Sequence, residues 1–111
     1  MSWPNHMGNI LITDALSARA HHLKNEYSAN AVTIIMGDFN DVPAIMLKSG
    51  AIKQLPNPAS VAYPHQILTF CLDNNISTVF TLNALEITLL EPAMQLFNEY
   101  DIDIQLVKND L

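Results

Sequence analysis

Five polar residues follow closely on apolar, strand-like runs. Asp14 and Ser17 follow Asn9–Thr13 (NILIT), Asp38 follows Ala31–Met36 (AVTIIM), and Asn83 and Glu86 follow Ser77–Leu82 (STVFTL). Open parallel sheets bind ligands at the carboxyl ends of their strands, so these five are the candidate ligand-facing residues. Asp38 stands where an acid can grip a ribose hydroxyl. Glu86 and Glu91 carry side chains that can move protons. Each also has a plainer role. Asp14 or Ser17 can cap the following helix, and Glu86 sits near a helix N-terminus, where a carboxylate is favoured by the dipole.

The surrounding sequence removes the sharper chemistries. A dinucleotide site needs glycines in the first strand-to-helix loop so that backbone can approach a pyrophosphate, and "TDALSARA" has none. There is no Walker A loop. A phosphoacceptor receiver needs an aspartate after its third strand, where this chain has Pro56-Asn57-Pro58. Ser17, Ser60 and Ser77 lack the glycines of a nucleophile elbow. Adjacent His21 and His22 point about 100° apart on a helix and cannot easily share a metal. Cys71 falls on an apolar helix face, where a free thiol packs like a small hydrophobe. No catalytic residue and no metal ligand is therefore assigned.

The elements that must position the five residues read clearly. Short β-rich runs alternate with helical patterns: Asn9–Thr13, a helix with Ala15, Ala18, His22 and Leu23 on one face, then Ala31–Met36. "GDFNDVP" reads as a loop, followed by a short helix through Ile45–Lys48 that Gly50 stops. Ala51–Leu55 has the alternation of an edge strand. Ser60 can cap a helix running to about Asn74, with Pro64 in its first turns. Ser77–Leu82 follows, then a helical stretch with Leu85, Leu89, Ala93, Leu96 and Phe97 at helical spacing and a break expected at Pro92. Ile102–Val107 is the fifth strand. Strands alternating with helices predict an α/β fold: a three-layer Rossmann-like domain with a five-stranded parallel sheet, order 3-2-1-4-5.

Composition sets the class. Half of the 111 residues are hydrophobic, which suits one small core spanning residues 8–111. Residues 1–7 (MSWPNHM) read as a disordered or vector-derived tail rather than a signal peptide. Eleven acidic against five basic residues give a net charge of −6, which disfavours nucleic acid and anionic membranes as partners. One cysteine allows no internal disulfide, and no apolar run approaches the length of a membrane span. The expected location is the cytoplasm.

Three stretches together resemble a known family. "NILITDALSARAHHLKNE" looks like the opening strand, loop and helix of a pre-ATP-grasp domain. "GDFNDVPAIMLKSGAIKQLPNP" is similar to that family's second unit, in which D-x-(N/D)-x-x-x-P-A leads into a short helix and strand. "ILTFCLDNNISTVFTLNALEITLLEPAMQLFNEYDIDIQLV" resembles the stretch in which a strand, a polar loop with Glu, a helix carrying Leu-Phe and a final strand follow one another. The family is the Rossmann-like N-terminal domain of ATP-grasp ligases of the carbamoyl-phosphate synthase large-subunit type. The likeness runs from Gly8 to Val107. It departs in the first loop, which lacks the family's glycine and arginine. It departs also at Thr81 for a proline, at Ala84 for an acid and at Asp101 for a glycine.

The resemblance implies a domain that supports a carboxylate–amine ligase without catalysing on its own. It implies no cofactor in this chain, with ATP and magnesium held by ATP-grasp lobes of the same or another chain. Asp14, Ser17, Asp38, Asn83 and Glu86 are the positions that would contribute substrate contacts. The rival expectation is a free-standing interaction or dimerisation module without ligand, suggested by high hydrophobicity in so short and acidic a chain.

Overall fold

A computed structural model of the chain describes residues 8–28 and 32–108. The expected tail at 1–7 and the start of the second strand at Ala31 lie outside the described residues. The strands are β1 (Asn9–Ile12), β2 (Ile34–Asp38), β3 (Lys53–Gln54), β4 (Ile76–Thr81) and β5 (Asp103–Leu106). The helices are α1 (Ala18–Tyr27), α2 (Ala44–Ser49), α3 (Tyr63–Asp73), α4 (Ala84–Leu90) and α5 (Met94–Asn98). All strand pairs are parallel, in the order β3-β2-β1-β4-β5. This is the predicted Rossmann-like α/β arrangement. Consecutive connections run outward to β3 and then return past β1 to β4, so the order reverses between β1 and β4. In open parallel sheets such a reversal is the place where ligands are admitted, at the carboxyl ends of the two strands; here Thr13 and Thr81 at those ends are buried.

The faces of the sheet hold two separate cores. Leu11, Val79 and Ile104 face α3, α4 and α5, meeting Tyr63, Ile67, Cys71, Leu90 and Phe97. Ile10, Ile12, Met36 and Phe80 face α1 and α2, meeting Ala20 and Val42 with Leu23, Tyr27 and Met46 at the margin. Every residue of β4 is buried, which is why the run reads as continuously apolar or small rather than alternating. At Gly37 in β2 an added Cβ would lie 2.7 Å from Leu55 Cγ, so glycine lets the Leu55 side chain, just beyond β3, close over β2.

Several local expectations are corrected. Gly37 and Asp38 belong to β2 rather than to the loop, and both are buried. The edge strand is shortened to two residues, both exposed. The inner face of α1 is Ala20, Leu23 and Tyr27, while Ala18 and His22 face solvent. Helix α3 begins at Tyr63 with Pro64 in its first turn and has no side-chain cap; Ser60 instead closes the preceding turn on Ala62. On α4 the buried residues are Glu86, Ile87 and Leu90, and Leu85 is half exposed. The helical face is rotated by one residue because an acid occupies a core position, which a hydrophobic pattern cannot register. At Pro92 a single 3-10 turn, Glu91–Ala93, joins α4 to α5. The expected stop at Gly50 is present, with φ of 79° in the left-handed region.

Candidate functional site

The carboxyl ends of β1, β2 and β4 meet the starts of α1, α3 and α4. The first loop is closed by its own hydrogen bonds. The amides of Ala15, Leu16 and Ser17 donate to Gly37 O (3.1 Å), Asp38 Oδ2 (3.0 Å) and Asp14 O (2.9 Å). Ser17 caps α1, its Oγ accepting from the Ala20 amide at 3.2 Å. Asp14 holds the turn with φ of 56°, a left-handed conformation that aspartate tolerates better than most residues. The amides that would face a phosphate in a glycine-rich loop are thus already used.

Asp38 is the hub of the second loop. It is fully buried; Oδ2 takes the Leu16 amide, and Oδ1 takes the Asn40 amide (2.8 Å) and side-chain Nδ2 (3.0 Å). Gln54 of β3 holds the same loop from the other side. Its amide nitrogen lies 3.1 Å from Asp38 O and 3.0 Å from Asn40 O, and its Oε1 accepts from the Val42 amide at 3.2 Å. The motif "GDFND" therefore acts first on its own backbone.

Glu86 is the unusual residue of the site. It lies in the first turn of α4, whose N-cap Asn83 accepts from the Leu85 and Glu86 amides at 2.9 and 3.4 Å. Its side chain is fully buried, and Tyr63 Oη, at the start of α3, donates to its Oε2 at 2.5 Å. Thr13 and Thr81 end the two central strands side by side, one residue beyond the Ile12–Phe80 pair. The Thr13 hydroxyl accepts the Leu82 amide at 3.1 Å. It lies close enough to favour the Glu86 carboxylate, yet outside hydrogen-bond geometry to Oε1. Glu86 Oε1 and Thr81 Oγ1 are buried without a hydrogen-bond partner.

These surroundings push the Glu86 carboxyl up to about 7. Burial is the main cause. The Tyr63 and Thr13 hydroxyls oppose the rise, and the negative charges of Asp38 and Asp14 add to it. Asp14 is also raised, by burial first and then by Asp38, against the Ser17 hydroxyl and Arg19. The Tyr63 phenol is raised far beyond its ordinary value by burial and by Glu86, so it remains a donor. The Cys71 thiol, in the core beneath α3, is pushed up to about 12 by burial.

Of the five candidates, the structure groups Asp14, Asp38 and Glu86 within mutual electrostatic reach, while Ser17 and Asn83 are helix caps. Sequence reasoning missed Tyr63, Thr13 and Thr81. A signal existed for the threonines, since each closes a central apolar run. None existed for Tyr63, which reaches Glu86 through the crossover from β3 to β4. Among the described residues no cluster of three or more His, Cys, Asp or Glu side chains could hold a metal. No described helix is long and apolar enough to cross a membrane. No protein-family model matches the chain, and no curated protein shows significant similarity to it.

Proposed function

We propose that this chain is a pre-ATP-grasp domain that supports an ATP-dependent carboxylate–amine ligase of the carbamoyl-phosphate synthase kind and does no catalysis itself. The observation that carries this reading is the self-satisfied first loop. With the amides of Ala15, Leu16 and Ser17 all bonded within the protein, the fold keeps the strand order of a nucleotide-binding unit but not its phosphate cradle. That combination suits a domain whose nucleotide is held elsewhere. Asp101 adds support. The family resemblance expects glycine there, and Asp101 has φ of 61°, the conformation glycine adopts most easily. In this reading ATP and magnesium bind the ligase lobes, and any substrate contact from this domain comes from the strand ends around Asp14, Ser17, Asp38, Asn83 and Glu86.

Two measurements test it. Isothermal titration of the chain with ATP and magnesium should give no binding heat, and a micromolar dissociation constant would overturn the account of the first loop. The intact mass of the endogenous polypeptide should be several times that of this chain, or the chain should co-purify with a separate ATP-grasp protein. A free chain of 12.3 kDa without such a partner would refute the ligase reading.

A second reading, an interaction module, is favoured by one feature. Helix α2 buries none of its residues and presents Ile45 and Leu47 to solvent beside the short edge strand β3. Light scattering across a concentration series tests self-association. A monomer at all concentrations would remove the dimer version.

A further inference from the structure

On the α1 side of the sheet, α1 and α2 pack against β1, β2 and Phe80 of β4. The outer strand β5 has no described helix over it on this side, and Gln105, level with Phe80 in the parallel register, is exposed. Between α1 and the ends of β4 and β5 lies a groove of about 420 Å³. Its walls are apolar (Ala18, Leu23, Leu82 and Val107), and Arg19, His22 and Glu26 stand along its rim. Arg19, His22, Leu23 and Glu26 follow the i, i+3, i+4, i+7 spacing, so one lateral stripe of α1 forms the helical side of the groove. The two charges on this stripe run against the helix. Arg19 stands in the first turn of α1, which has no acid, and Glu26 stands in the last turn, whereas the helix dipole favours the reverse at both ends. Arg19 has local partners: its Nη2 donates to Val107 O at 3.0 Å, and its charge favours the Asp14 carboxylate. Glu26 is exposed and has no ion-pair partner among the described residues. About 10 Å of helix separates the two charges, too far for them to neutralise each other.

We propose that the occupant of this groove is α1 of a second copy, packed antiparallel, so that the chain forms a two-fold homodimer with reciprocal pairs between Arg19 and Glu26 of the partner subunit. The stripe is its own complement. A two-fold axis between His22 and Leu23 brings Arg19 to the carboxyl end of the second helix and Glu26 to its amino end, where the dipole favours each charge. Ala18, small and exposed, lets the helices approach closely, and the half-buried Leu23 and Val107 are covered. A contact of this kind closes on itself, so assembly stops at two. Such a dimer rests on the interaction-module reading and names its partner, with the contact on α1 rather than on α2. It is compatible with the ligase reading and independent of it.

The test is sedimentation equilibrium of the full chain over a concentration series, alongside R19E, E26R, an equimolar mixture of these two, and the α2 variant I45S/L47S. The wild-type mass should rise with concentration from 12.3 kDa towards twice that value and stop there. R19E and E26R alone set like charges opposite each other and should each weaken the dimer about tenfold or more. Mixed, they should form a heterodimer at least as tight as the wild-type dimer, because every facing pair is again of opposite sign. I45S/L47S should dimerise as the wild type does. A wild-type chain that stays monomeric up to about 1 mM would overturn the proposal, as would a mixture no tighter than its components. Loss of the dimer in I45S/L47S with R19E unaffected would overturn it too, while leaving an interaction module that works through α2. If R19E does not fold, E26R decides alone, since the Glu26 side chain bonds to no described residue: an E26R dimer of wild-type strength would overturn the proposal.

Discussion

The burial of Glu86 makes the stability of this domain fall as pH rises through a defined window. In the unfolded chain the carboxyl loses its proton around its ordinary value of 4.5, whereas in the folded protein it keeps it to about 7. Between these values the folded state binds more protons than the unfolded state, so stability declines with increasing pH; above the folded value the decline stops. At about 1.4 kcal/mol for each pH unit, a difference of this size removes about 3 kcal/mol. That is a large share of the roughly 5–15 kcal/mol typical of a whole domain. Asp14, partly exposed, acts in the same direction and adds a smaller slope. The assay is urea denaturation at intervals from pH 4.5 to 8, wild type against E86Q, with the difference between the two curves isolating Glu86. The amide keeps the side chain's shape and can still accept the Tyr63 hydroxyl. E86Q should therefore match the wild type in acid and exceed it by about 3 kcal/mol at pH 8. Parallel curves for the two proteins would refute the reasoning, because they would mean that Glu86 ionises equally in both states. Y63F should extend the decline to higher pH than in the wild type, since the Tyr63 hydroxyl favours the carboxylate and its loss raises the folded Glu86 value further.

Three further outcomes test the packing around the site. Asn83→Ala should cost about 1 kcal/mol in chemical denaturation through loss of the α4 cap, and Asn83→Asp should recover most of it. Gly37→Ala should destabilise by about 1–3 kcal/mol, because the new Cβ would collide with Leu55, and adding Leu55→Ala should relieve the clash while costing its own core contact. Cys71 should react with thiol reagents only as fast as the protein unfolds. It is fully buried and its thiol is pushed up to about 12, so labelling at native pH that outpaces unfolding would show that the core beneath α3 opens separately.

The sequence by itself determined the architecture. Five short apolar runs separated by helical patterns leave little alternative to a parallel sheet with helices on both faces, and the right-handedness of crossovers then assigns each helix to its side. Punctuation was equally legible: Gly50 ends α2 and Pro92 breaks the last helical stretch, because each acts through its own local backbone, while of the two possible caps of α1, Asp14 and Ser17, the structure selects Ser17. The absence of a phosphate cradle could be read from "TDALSARA", and the structure supplies the reason it is not needed, since Asp38 and Gly37 take the loop amides from the neighbouring strand.

What only the tertiary structure decided was the environment of the polar residues. The pattern around Leu85 points to one helical face, and the fold buries the next one, because the crossover from β3 to β4 sets Tyr63 opposite Glu86, 23 positions along the chain. Helical periodicity records which residues share a face, not whether that face meets water, an apolar wall or a phenol. An acid in the first turn of a helix is ordinarily a solvated, dipole-stabilised carboxylate. Here the desolvation imposed by α3 and the two strand ends outweighs the dipole and turns the same residue into a buried, proton-holding group.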